Sequence, residues 1–231
     1  STLDGTLFPT RRSSDLACRF KYKIYELEEE FRQGEKFQLY EDTNGSYILN
    51  SKDLCMIEHI PELIEAGVQS FKIEGRLKSI YYVGAVTRTY RQAIDLYFEN
   101  ENEYQKKKKS FFEELSKTSN RGFTTGFYFG KPDKSTNNYV SSRASEQYKF
   151  VGLVKKYHKK NKLLEIEVKN HINLNDEIDI VTPTEIKIHK VDKIIKADEM
   201  VDFANPNEII CFPFEFNIPS NSFVRIKCTK Q

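Results

Sequence analysis

Two spacings of apolar residues divide the chain. Over residues 57–67 and again over 79–98, apolar positions recur every three or four residues, which predicts two helices that each bury one face. Gly67 ends the first predicted helix. Between the two helices, residues 70–74 alternate and predict a short strand. Helix, strand and helix in this order indicate α/β architecture with a parallel strand.

The residues before these helices predict a few short strands. Alternation over 18–25 predicts the first, and 37–40 and 46–49 predict two more around an Asn-Gly turn at 44–45. The first sixteen residues have no periodicity and look like translated adapter sequence. We expect residues 1–16 to be non-native and leave them out of the fold prediction.

The last third of the chain has a different pattern. From residue 148 onward, short alternating runs are separated by turn residues, which predicts a small antiparallel β-barrel over 148–231. Residues 106–147 are rich in Gly, Ser, Thr and Asn and predict a connector. The six predicted strands cover residues 148–157, 162–170, 176–183, 185–195, 208–214 and 222–228.

Composition narrows the class of protein. The chain has 231 residues with 39% hydrophobic and 13% aromatic residues, enough to bury a core and too much for a disordered chain. No apolar run approaches the length of about 18–20 residues that a membrane helix needs, so we expect a soluble protein without a membrane partner. Oligomeric state is left open by the sequence.

The formal charge of +2 is unevenly distributed. Residues 104–147 hold nine basic and four acidic residues, including Lys106, Lys107, Lys108 and Lys109. With Arg121, these lysines are candidates for binding the phosphates of a nucleic acid. The alternative is that the lysine run is a solvated helix face or a flexible link.

A second candidate site lies on the strand predicted at 70–76. Lys72, Glu74 and Arg76 share one face of that strand. If the strand belongs to a β/α barrel, this face points inward at the carboxyl end, where such barrels place their catalytic residues. Lys72 and Arg76 would then hold an anionic substrate, and Glu74 would either move a proton or orient Lys72. The alternative is a structural cluster of ion pairs.

The cysteines and the known catalytic motifs limit the other possibilities. Cys18, Cys55, Cys211 and Cys228 are far apart, no CxxC spacing occurs, and no secretory signal precedes them. We therefore expect a reducing compartment, the cytoplasm, and buried structural thiols unless a motif indicates otherwise. The chain contains no GxGxxG, Walker, GxSxG or HExxH motif, so common nucleotide, hydrolase and zinc-peptidase sites are not predicted.

The stretch SKDLCMIEHIPELIEAGVQSFKIEGRLKSIYYVGAVTRTYRQAID, together with RGFTTGFYFGKPD, resembles peptidase family U32. The resemblance runs from about residue 18 to 225. It implies the carboxyl part of a β/α (TIM-like) barrel over 17–105, then the connector, then the family's carboxy-terminal β-barrel over 148–231.

Within the family, the sequence is most similar to the branch that hydroxylates the wobble uridine of tRNA in a prephenate-dependent reaction. That resemblance implies a 4Fe-4S cluster held by four cysteines. Cys18 matches the third ligand and Cys55 the fourth, whereas the early pair has no counterpart here. Cys211 and Cys228 do not fit the motif and are interpreted as structural.

Three functions follow from these observations. The first is prephenate-dependent tRNA hydroxylation, with Lys72, Glu74 and Arg76 receiving prephenate and the basic connector and terminal barrel holding tRNA. This fragment alone would be inactive. The alternatives are a collagenase-like peptidase, for which no activated nucleophile is visible in the sequence, and a non-catalytic RNA-binding fragment.

Overall fold

A computed structural model gives the fold of residues 51–131 and 147–228 and the backbone of four short strands before them. The chain divides into two compact units, Ser1–Cys55 with Asn120–Ser145, and Met56–Ser119 with Glu146–Gln231. The elements, in chain order, are β1 Leu27–Glu28, β2 Lys36–Phe37, β3 Tyr40–Asp42, β4 Gly45–Tyr47, β5 Asp53–Leu54, a 3₁₀ turn Ile57–His59, α1 Ile60–Glu65, α2 Ile80–Glu99, α3 Glu101–Ser116, β6 Phe123–Thr124, β7 Tyr148–His158, β8 Leu163–Val168, β9 Ile172–Asn173, β10 Glu177–Val181, β11 Ile186–Lys190, β12 Ile194–Lys196, β13 Glu199–Val201, β14 Phe203–Ala204, β15 Ile209–Pro213 and β16 Phe223–Lys227.

The first unit contains only short strands in its described part. β1 pairs with β2 and β3 with β4, both antiparallel, and the second pair lies where the sequence predicts a hairpin at 44–45. β5 and β6 are joined as a parallel pair, with Asp53 opposite Phe123. The strand predicted at 18–25 and the segment 1–16 lie outside the described residues.

The second unit begins with the two helices that the sequence predicts. The 3₁₀ turn and α1 cover the first, and Gly67, at φ 84°, donates its backbone N–H to the Ile64 carbonyl to close it. The second is α2, which starts where the Ser79 hydroxyl accepts a hydrogen bond from the Tyr82 backbone N–H at 3.1 Å. Both helix predictions are confirmed.

α3 extends into the segment predicted as a connector, so residues 106–116 are helical and the lysine run lies on a helix, which agrees with the alternative of a solvated helix face. The Asn100 side chain caps α3 by accepting from the Glu103 backbone N–H at 3.1 Å. Glu101 and Glu103 in the first turn interact favourably with the positive end of the helix dipole. Tyr104 and Leu115 are buried on one face of the helix. The lysine run lowers the mean hydropathy enough to hide this narrow apolar stripe.

The strand predicted at 70–74 is also wrong. The backbone between α1 and α2 has no regular structure over residues 68–75, and no strand within the described ranges pairs with it. The side chains of this segment still alternate in solvent exposure, since Phe71 and Ile73 are half-buried while Lys72 and Glu74 are exposed. In residues 51–131 the one parallel strand pair is β5–β6, so the β/α-barrel part of the fold prediction is not confirmed.

The carboxy-terminal part is an eight-stranded antiparallel sheet, which confirms the antiparallel strands predicted there. Its outer strands, β11 and β13, are not paired with each other in the described residues, so the closed barrel that was predicted is not confirmed. Its strand order is β11-β10-β16-β7-β8-β15-β12-β13, and every pairing is antiparallel. The run at 185–195 is split into β11 and β12, and β9, β13 and β14 are short strands that the sequence did not reveal. One face of the strands packs into a single core that includes Val154, Leu164, Ile166, Ile180, Ile210 and Phe212.

Aromatic packing and hydrogen bonds connect α2 to this sheet. The Tyr81 ring stacks on Phe150 with centroids 5.5 Å apart and meets the edge of Phe223 at 5.8 Å. Gly84 lets the helix approach Phe223 closely, since a Cβ there would lie 2.4 Å from that ring. Further along the helix, the Arg88 Nε donates to the Thr182 carbonyl at 2.7 Å.

Candidate functional site

The most buried charged group of the described chain is the Arg225 side chain on β16, which is 0% exposed. Its guanidinium donates to Glu114 of α3 at 2.7 and 3.2 Å, to Asp179 of β10 at 2.9 Å and to the Tyr81 hydroxyl of α2 at 3.1 Å. All of the bonds run between different elements. Arg225 therefore ties two helices to two strands.

Electrostatics explains why the Glu114 carboxylate stays ionised in the interior. Burial disfavours the carboxylate of Glu114, but the hydrogen bonds and charge of Arg225, with Lys117 at 2.9 Å, hold its pKa below the usual value. Burial raises the pKa of the Tyr81 hydroxyl, and Arg225 only partly opposes this. A fully paired cluster of this kind has a structural role, and no sequence signal marks it beyond one arginine in an apolar strand.

The candidate substrate residues Lys72, Glu74 and Arg76 are all exposed on the irregular segment before α2. The structure brings two of them together, since the Arg76 backbone N–H donates to the Glu74 carboxylate at 2.9 Å. That local turn fixes the backbone. The inward-facing charged surface expected for a barrel strand is not formed by these residues here.

The lysine run lies on α3. Lys106, Lys107 and Lys109 are exposed and Lys108 is half-exposed. Lys106 Nζ is 2.7 Å from Glu103 Oε1, an exposed pair of the kind that contributes little stability. Because successive residues of a helix are about 100° apart, these ammonium groups point to different sides of α3, and those of Lys106, Lys107 and Lys109 are well exposed to water.

The fifth candidate for nucleic-acid binding, Arg121, is engaged elsewhere. Its guanidinium meets Asp53 Oδ1 at 3.0 and 3.3 Å, next to the β5–β6 pair. Asp53 is a residue of β5 that positions this arginine. A phosphate would have to compete with Asp53 for Arg121.

Exposed aromatic residues follow β6. Phe127, Tyr128 and Phe129 are 78%, 57% and 61% exposed. They lie in a turn closed by bonds from the Tyr128 N–H to the Thr125 carbonyl and from the Gly130 N–H to the Phe127 carbonyl, both at 3.3 Å. Large exposed aromatic side chains in a row are unusual on a monomer surface and are typical of a binding site.

The cysteines expected to hold a 4Fe-4S cluster are only partly described. Cys55 is 7% exposed and follows β5, where its N–H donates to the Thr124 carbonyl at 2.9 Å, whereas Cys18 lies outside the described residues. A 4Fe-4S cluster needs four thiolates. Among the described residues, no group of three or more potential metal ligands contains two cysteines. The donor set seen here does not complete a cluster, and ligation by Cys18 and Cys55 stays a prediction.

One group of close potential metal ligands does occur in the described residues. His158, Glu165 and Cys211 have ligand atoms all within 4.8 Å of one another, with His158 Nε2 2.9 Å from Glu165 Oε2. From the sequence, Cys211 is expected to be only a structural thiol. The register that assembles this group could not be read from the sequence. Cys228, by contrast with the expected burial, is exposed.

This group is not arranged as a peptidase nucleophile and base. A cysteine nucleophile needs a lowered pKa, but burial, together with the charges of Glu165 and Asp198, raises the pKa of the Cys211 thiol. The Nε2 atom of the His158 ring is already hydrogen-bonded to the Glu165 carboxylate, so it does not face the Cys211 thiol as a base would. No catalytic dyad is formed by these residues.

Comparison with known proteins establishes the family. Residues 8–138 match the model of peptidase family U32, and residues 146–225 match the model of the peptidase family U32 C-terminal domain. The chain belongs to peptidase family U32. The family resemblance expected from the sequence is thereby confirmed.

The relatives of this chain include tRNA hydroxylation proteins and collagenases. The tRNA hydroxylation protein P1 of Bacillus subtilis is 32% identical over 209 residues, which is 89% of this chain and 48% of that protein. The tRNA hydroxylation protein P of Escherichia coli is 36% identical over 162 residues, 70% of this chain and 35% of that protein. A collagenase of Porphyromonas gingivalis is 33% identical over 187 residues, 80% of this chain and 45% of that protein.

The chain spans about half the length, or less, of the relatives it matches. Among solved structures, the C-terminal domain of a U32 peptidase from Geobacillus thermoleovorans is 25% identical, with a TM-score of 0.32, covering 33% of this chain and 98% of that one. No described helix is long and apolar enough to cross a membrane.

Proposed function

We propose that the U32 protein represented by this chain modifies tRNA, by prephenate-dependent 5-hydroxylation of the wobble uridine, and that this part of it contributes a tRNA-binding surface. The observation that carries the proposal is the similarity to tRNA hydroxylation protein P1, which extends over 89% of the chain. Relatives of that name from Escherichia coli and Haemophilus influenzae align over 70% and 79% of the chain.

Two features of the described surface support an RNA partner. The exposed ammonium groups of α3 would neutralise backbone phosphates and release counterions. The exposed rings of Phe127, Tyr128 and Phe129 offer flat faces on which unstacked bases can stack, which is how proteins read single-stranded loops such as an anticodon. Each feature belongs to its own unit of the fold, and each is proposed as a separate contact.

Prephenate would be bound by the charged residues before α2. Lys72 and Arg76 would bind its carboxylates by charge-assisted hydrogen bonds, with Glu74 holding the Arg76 backbone in place. All three are exposed, so a substrate in solution can reach them. Cys18 and Cys55 are proposed as two of four cluster ligands.

The proposal competes with a peptidase, which the collagenase relatives favour. The deciding experiment uses the full-length protein, purified under anaerobic conditions, and offers it undermodified tRNA with prephenate in one reaction and gelatin in another. We expect 5-hydroxyuridine in the digested tRNA and intact gelatin. Cleaved gelatin with unmodified tRNA would favour the peptidase and overturn the proposal.

The tRNA-binding surface is tested separately on this chain. Replacing Lys106, Lys107, Lys108 and Lys109 with Gln removes four charges from α3 without removing helix-forming residues. If all four contact phosphates, the slope of log affinity against log salt falls by about 3, from a loss of roughly 0.7–0.9 per contact. Fluorescence anisotropy with labelled tRNA measures both quantities.

A matched control removes the same charge from elsewhere. The proposal places the phosphate contacts on α3 rather than on the terminal barrel. Four exposed lysines of the carboxy-terminal sheet and its loops therefore serve as the control, and their replacement by Gln changes the net charge equally: Lys159, Lys160, Lys190 and Lys227. We expect the control variant to retain most of the salt dependence. Equal losses in the two variants would mean that attraction is diffuse and that α3 is not a binding surface.

A further inference from the structure

Three neighbouring strands of the carboxy-terminal sheet place potential metal ligands side by side on the face opposite the core. In β8, Leu164, Ile166 and Val168 are fully buried and the residues between them are half-exposed, so Glu165 points away from the core. Cys211 lies directly opposite Glu165 in the β8–β15 register. His158, at the end of β7, is opposite Leu163, two residues from Glu165 on the same face.

The spacing of these side chains suits one ion. Their ligand atoms lie within 4.8 Å of one another, and tetrahedral coordination of Zn²⁺ by N, O and S needs separations of about 3.3–3.8 Å, given bonds of roughly 2.0–2.3 Å. Rotamer adjustments of about an ångström would close the difference. The backbone would not have to move, since all three residues are held in paired strands.

The charges around the group favour a cation. Glu165 carries a negative charge, and Asp198 adds a second carboxylate that acts on Cys211. A divalent ion bound by one carboxylate, one thiolate and a neutral imidazole makes a site of zero net charge, which a half-buried position tolerates. Partial exposure of all three ligands leaves room for water as a fourth.

We propose that His158, Glu165 and Cys211 form a binding site for a divalent transition-metal ion, with Zn²⁺ as the best match. A mixed set of imidazole, carboxylate and thiolate excludes Mg²⁺ and Ca²⁺, which prefer oxygen ligands throughout. Three protein ligands and one water position are typical of zinc sites that remain open to a further ligand. This site is independent of the proposed tRNA chemistry.

A metal-free explanation exists for part of the arrangement. A protonated His158 and Glu165 form an ordinary cross-strand ion pair at 2.9 Å, and Lys156, opposite Glu165 in the register, adds a further cation on that face. Cys211 takes no part in such an ion pair, and its thiol is not stabilised by the neighbouring carboxylates of Glu165 and Asp198. Whether the Cys211 sulfur binds a metal ion therefore distinguishes the two explanations.

The test is a titration of the full chain with Co²⁺, which substitutes for Zn²⁺ and reports a bound thiolate by a sulfur-to-cobalt charge-transfer band in the near ultraviolet. We expect a band that saturates at one equivalent and disappears in Cys211→Ser. Glu165→Gln keeps the shape of the side chain, and His158→Gln replaces the imidazole with a neutral polar side chain. Both are expected to weaken Co²⁺ binding by at least about tenfold.

Other cysteines provide the controls. Cys228→Ser removes an exposed thiol of the same unit, and Cys55→Ala removes the thiol of the other described unit, so the band must survive in both. A band that persists in Cys211→Ser, or no band in the unsubstituted chain at 100-fold excess of Co²⁺, would overturn the proposal. Thermal melting without metal shows that each variant is folded, and Zn²⁺ must raise the melting temperature of the parent chain more than that of Glu165→Gln.

Discussion

Removing the Arg225 guanidinium should be among the most destabilising single changes in the described part of the chain. Arg225→Met keeps an unbranched side chain of similar length but deletes the donors to Glu114, Asp179 and Tyr81. Two carboxylates, whose side chains are only 11% and 15% exposed, then remain inside without their cation. Breaking a buried ion pair from one side typically costs about 3–5 kcal/mol.

The structure puts this variant near the lower end of that range. Lys117 stays 2.9 Å from Glu114 and partly replaces the lost charge. Among the described residues, Asp179 has no second ion pair besides the one with Arg225. For a chain of 231 residues, a loss of about 3–5 kcal/mol lowers the melting temperature by roughly 6–20 °C, at about 2–4 °C per kcal/mol.

The pH dependence should change sign with the substitution. In the parent chain the folded-state pKa of Glu114 lies below its unfolded value, so its stabilisation is complete above that unfolded value and is lost as pH falls through the folded pKa. Without Arg225, burial dominates and raises the pKa of Glu114. The variant should therefore become more stable, relative to the parent chain, as pH falls from 7 towards 5.

Urea unfolding, followed by circular dichroism at pH 7 and pH 5, measures both effects. Adding Glu114→Gln and Asp179→Asn to Arg225→Met removes the unpaired charges and should recover more than half of the lost free energy of unfolding. A loss below about 1 kcal/mol in Arg225→Met, or no recovery in the triple variant, would mean that the buried charges are solvated and that the reasoning is wrong.

Three further predictions concern packing, a buried hydrogen bond and prephenate. Gly84→Ala puts a Cβ 2.4 Å from the Phe223 ring and should cost about 1–3 kcal/mol in urea unfolding, whereas a neutral result would show that α2 can shift on the sheet. Tyr104→Phe removes the 2.8 Å bond from its hydroxyl to the Ile57 carbonyl and should cost about 1–3 kcal/mol, with a cost near zero excluding a buried, dry acceptor. In the full-length protein, Arg76→Gln should raise the prephenate concentration needed for half-maximal tRNA hydroxylation by at least about tenfold, against no change for the exposed control Arg91→Gln, and equal behaviour of the two would remove Arg76 from the site.

Periodicity in the sequence was sufficient for the elements that bury a regular face. α2 was predictable because its apolar positions recur along twenty residues behind a serine cap, and β8 because Leu164, Ile166 and Val168 alternate with polar residues. α3 was missed since Tyr104 and Leu115 are its only fully buried residues, too few to outweigh four consecutive lysines. The strand at 70–74 was wrong because alternation shows half-burial, not pairing.

The side-chain clusters depended on information that periodicity does not contain. Arg225 meets residues 46, 111 and 144 positions away in sequence. His158, Glu165 and Cys211 meet only because β7, β8 and β15 are adjacent in the sheet with one particular register. Strand order and register are set by the whole core, so such groups cannot be found by motif spacing. Family resemblance, by contrast, was readable from sequence and was confirmed by both family models.

The proposal that this U32 protein hydroxylates tRNA is tested most directly by nucleoside mass spectrometry of tRNA from cells that lack its gene. The account predicts that 5-hydroxyuridine and its derivatives disappear from those cells and return when the full-length gene is restored. Unchanged levels of these nucleosides, in cells with no second U32 gene, would contradict it.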